Sequence, residues 1–353
     1  MKITKISYER LELRLKEPYT IAYETVERST NFVLRIETDS RIIGYGCAAP
    51  DLQVTGETPE EVENNIKGIL IPFLKGKNPY MVSQLLEGVF ELVQKKSSTL
   101  AMVDMALMDI VSRKTGVPLY QFLGGYRDHI ATSITIGIQS VHETLLAAEE
   151  YISQGFFILK IKGGLSLAED IEKMVRLREK FPDIVLRFDG NQGYSIEEAL
   201  GFFASTKDLN IEIFEQPTKV GNGKKIGAVT QKVAFPVMGD ESVKSLQDAY
   251  YLAHNKFIDM VNIKLMKVGG IREGMHINSV ARAAGLESMV GCLDECRLGI
   301  AAGLHFALSR PNIQYADLDG HLDMENDPFK GLFTLENGIL HPTGEPGLGK
   351  INF

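Results

Sequence analysis

Apolar and polar residues alternate along the opening of the chain. Residues 2–15 alternate loosely, residues 31–38 (Asn-Phe-Val-Leu-Arg-Ile-Glu-Thr) alternate cleanly, and a third run at 41–46 follows an Asp-Ser turn. A period of two is what a half-buried strand requires, so the pattern predicts an antiparallel meander. The rhythm then becomes helical. At Thr58-Pro-Glu-Glu, a threonine able to cap, a first-turn proline and two acids precede Val62 and Ile66, which predicts a helix start. Helical spacing continues over 81–94 and 99–114, where Met102, Met105 and Met108 recur at core intervals, and stops at Gly116 and Pro118. Residues 1–125 are therefore expected to form a small α+β unit, closed by Leu123-Gly-Gly.

From about residue 130 short apolar runs alternate with helical stretches. The runs cover 133–138, 157–162, 184–189, 211–215, 237–240, 260–264, 288–291 and 313–317. Helical patterns lie between them at 143–154, 167–181, 196–205, 246–255, 272–284 and 299–309. Strand followed by helix, repeated, implies a parallel sheet, and eight runs suit a closed (β/α)8 barrel of the TIM type. An open doubly wound sheet would carry a Gly-rich phosphate turn after its first strand, and Ile138-Gln-Ser-Val has none. The expected organisation is an N-terminal α+β capping domain over 1–125, a barrel over 126–324, and a Gly- and Pro-rich segment over 325–353 that packs back on the cap.

Charge and composition narrow the functional classes. The 353 residues include 38 Lys and Arg against 46 Asp and Glu, a net charge of −8. That balance is a poor match for a phosphate backbone, so no nucleic-acid partner is expected. The longest uncharged, mostly apolar run, 298–309, is too short for a membrane span of about 20 residues. Met1-Lys-Ile-Thr-Lys-Ile enters the alternating pattern at once, without a signal-peptide core. Cys47, Cys292 and Cys296 form no zinc-like cluster, so a cytoplasmic, soluble enzyme is expected.

The strand ends carry the chemistry. In a parallel barrel, catalytic groups sit where strands finish and loops begin. Asp189, Glu215 and Asp240 end three successive runs, 26 and 25 residues apart, one βα unit each. Three convergent carboxylates repel one another, and a hard divalent cation such as Mg²⁺ with oxygen ligands removes that cost. Lys160 and Lys162 share one face of their strand, with Phe157, Leu159 and Ile161 on the other, so both lysines are expected to point into the barrel. Lys264 ends the run four strands further on, diametrically opposite in a ring of eight. An ammonium near other cations and partly desolvated has a lowered pKa and can act as a base. Ion pairing between these lysines and the rim acids is compatible with that role. A cation that stabilises an enediolate, with one amine on each face of the neighbouring carbon, is the machinery of 1,1-proton transfer.

Taken together these motifs resemble the enolase superfamily, in its muconate-lactonising subgroup, and within it the dipeptide epimerases. The resemblance covers essentially the whole chain. It rests on Pro118-Leu-Tyr-Gln-Phe-Leu-Gly-Gly, Lys160-Ile-Lys162, Arg187-Phe-Asp189-Gly-Asn191, Glu215-Gln-Pro217, Gly239-Asp240-Glu241-Ser242 and Asn262-Ile-Lys264-Leu-Met-Lys-Val-Gly-Gly270. It implies an enolase-like fold, Asp189, Glu215 and Asp240 as Mg²⁺ ligands, and Lys162 and Lys264 as the two acid–base groups. It also implies that Lys160 binds the substrate carboxylate and that Asn191 and Glu241 support the metal site.

The implied reaction is inversion of the α-carbon of the C-terminal residue of a dipeptide. The subgroup also holds muconate cycloisomerases, o-succinylbenzoate synthases and N-succinylamino acid racemases, which stand as alternatives beside a non-catalytic binding barrel. Asp317-Leu-Asp319 favours a dipeptide, because in the epimerases such a pair binds the free α-ammonium, and two carboxylates at alternating positions can flank a cation. Thr135 matches a family position near the substrate. Gly190 and Tyr194 depart from the usual alanine and tryptophan. Glu24 stands where the epimerases acting on L-Ala-D/L-Glu carry arginine, and Asp294 stands where an apolar residue is frequent, which points to a cationic or polar dipeptide. Large barrels of this type often associate, so a homo-oligomer is a further expectation.

Overall fold

The computed structural model describes residues 1–20 and 25–353. The N-terminal unit is a three-stranded antiparallel sheet of β1 (Ile3–Thr20), β2 (Thr25–Thr38) and β3 (Ile43–Ala48). Its alternation serves two cores. Phe32, Leu34 and Ile36 turn toward Val62, Ile66 and Leu70 of the cap's own helices, while Val33, Tyr45 and Cys47 join the core shared with the barrel. The helix Pro59–Asn65 begins where its signals place it. Thr58 Oγ1 accepts from the Glu61 N–H at 3.2 Å, and Glu61 Oε2 accepts from the Thr58 N–H at 2.9 Å, a reciprocal cap. The long helix Ser97–Thr115 crosses the sheet so closely that a Cβ on Gly46 would stand 1.9 Å from the Met102 carbonyl.

A short strand, β4 (Ile130–Ala131), leads into the barrel. Its eight strands are β5 (Ile134–Ile136), β6 (Ile158–Lys162), β7 (Val185–Asp189), β8 (Ile211–Glu215), β9 (Val237–Gly239), β10 (Met260–Lys264), β11 (Glu287–Gly291) and β12 (Ile313–Asp317). They pair in chain order and in parallel, and a bridge between Thr132 and Ala316 closes the ring. Each apolar run anticipated from the sequence holds one strand. Phe157 differs from expectation: the strand starts one residue later, and Phe157 is exposed, whereas Leu159 and Ile161, expected on the same face, are buried.

Seven helices of at least seven residues separate the strands, from Val141–Ser153 to Arg297–Ser309. One of them, Lys224–Thr230, is not foreshadowed by the pattern; it is seven residues long and follows Gly223 at φ +74° without a side-chain cap. The longest apolar run forms the helix Arg297–Ser309, buried on all sides between barrel and cap, as an all-round apolar helix must be. Among the described residues no helix is long and apolar enough to cross a membrane. After residue 325 the chain makes a hairpin of β13 (Phe333–Glu336) and β14 (Ile339–Pro342) that pairs with β4. Its last residues lie against the cap helix Ser97–Thr115, where Asp109 Oδ1 accepts from the Leu348 N–H at 2.8 Å.

Candidate active site

Side chains two apart on a strand point the same way, so each barrel strand offers successive inward positions. At the C-terminal ends these positions are occupied by charge. β6 and β7 align Lys162 with Asp189, and β7 and β8 align Asp189 with Glu215. Lys160 sits at the centre. Its ammonium lies 3.1 Å from Asp189 Oδ2, 2.9 Å from Glu215 Oε2 and 2.8 Å from Asp317 Oδ2, three acceptors for three protons. With Lys160 seated among them the acids are held apart. Among the described residues no three of them close on a common point as a ready-made metal cage.

Asp240 follows β9 and is held from several sides. Its N–H donates to Gln216 Oε1 at 3.0 Å, Lys264 Nζ lies 2.8 Å from Oδ2, and Lys267 Nζ lies 2.6 Å from Oδ1. Asn262 Nδ2 donates to Glu215 Oε1 at 2.7 Å. Asn191, at φ +41°, turns back on Asp189, donating from its backbone at 2.9 Å and from Nδ2 at 3.2 Å. Glu241 is buried beside Asp240 with Oε2 unpartnered.

The electrostatics follow from burial and neighbours. Burial, with Asp189 and Asp240 nearby, pushes the Glu215 carboxyl up to about 7 against the pull of Lys160. Glu241 is likewise pushed up to about 7 by burial and by Asp240 and Asp189. Asp240 goes the other way: burial opposes its ionisation, but Lys264, Lys267 and Lys160 hold it well below the usual carboxylate range. Lys264 corrects an expectation. Burial and Lys160 lower its pKa, yet Asp240, Glu215 and Glu241 together raise it well above the ordinary lysine value. Among the protein's own groups, the carboxylate partners outweigh desolvation.

Lys162 and Lys264 stand on strands four apart in the ring and line one cavity of about 770 Å³, within the range of small-molecule sites. Asp317 and Asp319 line it as well and are no surface pair: both are buried. Asp317 accepts from Lys160 and, at 2.7 Å, from Ser133 Oγ; Asp319 accepts from the Thr135 N–H at 2.6 Å. Lys160 and Ser133 hold Asp317 down to about 2 despite its burial, whereas burial and Asp317 push Asp319 up to about 7. Thr135, half-buried on β5, borders the same space.

The cap roofs this cavity. Ser29 Oγ donates to the Asp294 carbonyl at 2.7 Å and Asn31 Nδ2 to the same oxygen at 3.0 Å. Lys244 Nζ grips the Gln53 and Val54 carbonyls at 3.1 and 2.8 Å. Asp294 thereby comes to the wall, and Asp51 and Asp323 line the cavity with it. Glu24, the other residue expected here, lies outside the described residues. Lys267, Asn262 and Ser133 were not foreseen as site residues. A lysine inside the apolar Leu265-Met-Lys-Val268 is the one signal that could have pointed to any of them.

The residues present suit a hard cation. Six carboxylates (Asp189, Glu215, Asp240, Glu241, Asp317, Asp319) are buried here against three buried ammonium groups, Lys160, Lys264 and Lys267. The carboxamide oxygen of Asn191 and one oxygen of Glu241 are buried without a partner. An all-oxygen donor set in negative excess is what Mg²⁺ selects.

Comparison with known proteins agrees with this architecture. Residues 4–124 match the mandelate racemase / muconate lactonizing enzyme N-terminal domain, and residues 143–350 match the enolase C-terminal domain-like family. The L-Lys-D/L-Arg epimerase of Desulforapulum autotrophicum is 42% identical over 351 residues, 99% of either chain. The L-Ala-D/L-Glu epimerase of Bacillus subtilis, solved as a substrate-liganded complex, is 38% identical with a TM-score of 0.96 over 99% of this chain and 98% of that one. The dipeptide epimerase of Methylococcus capsulatus, solved with Mg and the dipeptide L-Arg-D-Lys, is 36% identical with a TM-score of 0.94 over 99% of both chains. A capping sheet, a closed ring whose strand ends carry the acids and lysines, and family matches over both parts lead to one conclusion: this chain belongs to the mandelate racemase and muconate lactonizing enzyme family of the enolase superfamily.

Proposed function

We propose that the protein is a magnesium-dependent dipeptide epimerase, which inverts the α-carbon of the C-terminal residue of a dipeptide. The observation that carries this reading is the placement of Lys162 and Lys264 on opposite strands of one cavity, with the carboxylate cluster between them. Asp189, Glu215 and Asp240 would hold the cation, oriented by Asn191, Asn262 and Lys267. When bound, the cation supplies positive charge where the substrate carboxylate gathers electron density. Lys162 and Lys264 each address one face of the α-carbon, one taking the proton while the other returns one. Lys264, 2.8 Å from Asp240 Oδ2, is held with its amine at the cavity wall. Lys160 contributes a fixed positive charge, and Asp317 with Asp319 offers a buried anionic pocket for the free α-ammonium. An N-succinyl group would bring a carboxylate and no cation to the same place. We place the protein in a reducing compartment, where Cys47 and Cys296, 3.4 Å apart, persist as free thiols.

The substrate preference we assign is a cationic dipeptide. Asp51, Asp294 and Asp323 line the same cavity as Lys162 and Lys264. Each unit-charge contact near a protein surface contributes on the order of 1–4 kcal/mol. The relatives from Desulforapulum and Methylococcus are named for, or solved with, Lys- and Arg-containing dipeptides.

The test is a dipeptide library incubated with Mg²⁺ in D₂O. Deuterium should enter only at the second α-carbon, with no other change in mass, and Lys264→Ala should abolish inversion, leaving at most exchange of one epimer by Lys162. Ala-Lys should exceed Ala-Glu in kcat/KM by tenfold or more. A product of altered mass or absorbance, or a bound dipeptide that never exchanges, overturns the reaction. Equal turnover of Ala-Lys and Ala-Glu overturns only the preference.

A further inference from the structure

Lys267 is a fully buried lysine that takes no part in lining the cavity. It cannot touch a substrate, yet it is enclosed at a considerable desolvation cost. Its ammonium has three acceptors: Asp240 Oδ1 at 2.6 Å, the Asp240 backbone carbonyl at 2.6 Å and the Asn262 carbonyl at 3.0 Å. Two of the three belong to one residue, and gripping a carboxylate together with its own backbone carbonyl leaves that side chain little freedom to rotate.

The local chain explains how this arises. Lys264 ends β10, and the one-turn helix Leu265–Val268 follows, stopped by Gly269 and Gly270 at φ +97° and +109°. Lys267 lies three positions after Lys264, and both amines return to the same carboxylate. Lys264 meets Oδ2 at 2.8 Å, and Lys267 meets Oδ1 at 2.6 Å. The turn is itself anchored, because Asp104 of the cap helix accepts from the Arg272 N–H at 2.9 Å just beyond it. Asn262, two residues before Lys264, performs a parallel task on Glu215. A six-residue segment thus bears one acid–base group and the orienting partners of two carboxylates.

We propose that Lys267 is a positioning residue: it fixes the plane of the Asp240 carboxylate, so that Oδ1 is held from behind and Oδ2 is presented to the cavity beside Lys264. This rests on the reading of Asp240 as a cation ligand. Partners that orient a metal ligand typically change affinity by about 10–100-fold when removed.

The experiment measures Mn²⁺ binding by electron paramagnetic resonance, without substrate, in the wild type, Lys267→Met, Lys267→Gln and Asp240→Asn. Circular dichroism and thermal melting establish that each variant is folded. Lys267→Met should bind Mn²⁺ 10–100-fold more weakly, with Lys267→Gln, which keeps a donor, between it and the wild type. The concentration of metal needed for half-maximal α-proton exchange should rise in step, while exchange at saturating metal falls by a smaller factor. A folded Lys267→Met within twofold of wild-type affinity, with Asp240→Asn weakened, overturns the role of the lysine alone. Unchanged affinity in Asp240→Asn overturns the ligand reading and the proposal with it. Failure of both Lys267 variants to fold also overturns it, since the lysine then serves the barrel and not the site.

Discussion

The interior of this barrel has two layers that obey opposite rules. The upper layer, at the strand ends, holds Lys160, Asp189, Glu215, Asp240, Lys264 and Asp317. The layer below is made of Ile213, Met238, Met260, Met289 and the half-buried Tyr315. Several of these are the same strand two residues earlier: Ile213 lies under Glu215, Met238 under Asp240 and Tyr315 under Asp317. Arg187 marks the border, donating to Met289 Sδ at 3.8 Å, lying over the Tyr315 ring and reaching up to the Ala316 carbonyl at 3.0 Å. Backbone geometry is shared by both layers, so the difference is purely one of side chains. The lower layer stabilises the ring by apolar burial, with methionines filling an irregular space. The upper layer stores buried charge in mutual opposition, which costs stability and creates a site.

The largest expected effect comes from making the upper layer resemble the lower. Lys160→Met leaves Asp189, Glu215 and Asp317 without their common cation, and breaking a buried ion pair in this way costs about 3–5 kcal/mol. Chemical denaturation of the metal-free protein should show a loss of that size, with Mg²⁺ restoring part of it. Met289→Ala opens a hole in the lower layer and should cost about 3 kcal/mol. Here added Mg²⁺ should restore nothing beyond its effect on the wild type. If both variants respond alike to the metal, the distinction between the layers fails.

A smaller effect is expected from pH. Glu215, Glu241 and Asp319 are each pushed up to about 7, mainly by burial. Above their unfolded values near 4, the unfolded chain releases protons that the folded one retains. Their stabilising contribution is therefore full below about pH 4 and is lost as pH rises through 7. The melting temperature of the metal-free protein should fall between pH 5 and 8, and saturating Mg²⁺ should flatten that slope. The smallest effect is expected at the lower edge, where Tyr315→Phe removes a 2.8 Å hydrogen bond to Glu287. A change of about 1 kcal/mol or less, with α-proton exchange unaltered, is the expected outcome.

Much of this layout is legible along the chain. Alternation marks the cap strands, the spacing of apolar runs marks the ring, and Asp189, Glu215, Lys162 and Lys264 can be recognised because a charge closes an apolar run. Such features are local: they depend on residues two, three or four apart, whose relative orientation the backbone dictates. Who meets whom across the ring is a different matter. Lys160 and Asp317 are 157 positions apart and Cys47 and Cys296 are 249 apart, so no periodicity links them. The ionisation of Lys264 also reverses between the two views, because its sign depends on whether a neighbour is Lys160 or Asp240, and only the closed ring decides that. Lys267 is the same lesson in miniature, a charge in an apolar segment whose partner is 27 residues away, just past the end of the adjacent strand. The chain by itself determined the elements and the chemical character of their ends, while the pairing of charges belongs to the tertiary structure, because burial and distance, which set electrostatic energies, exist only once the ring has closed.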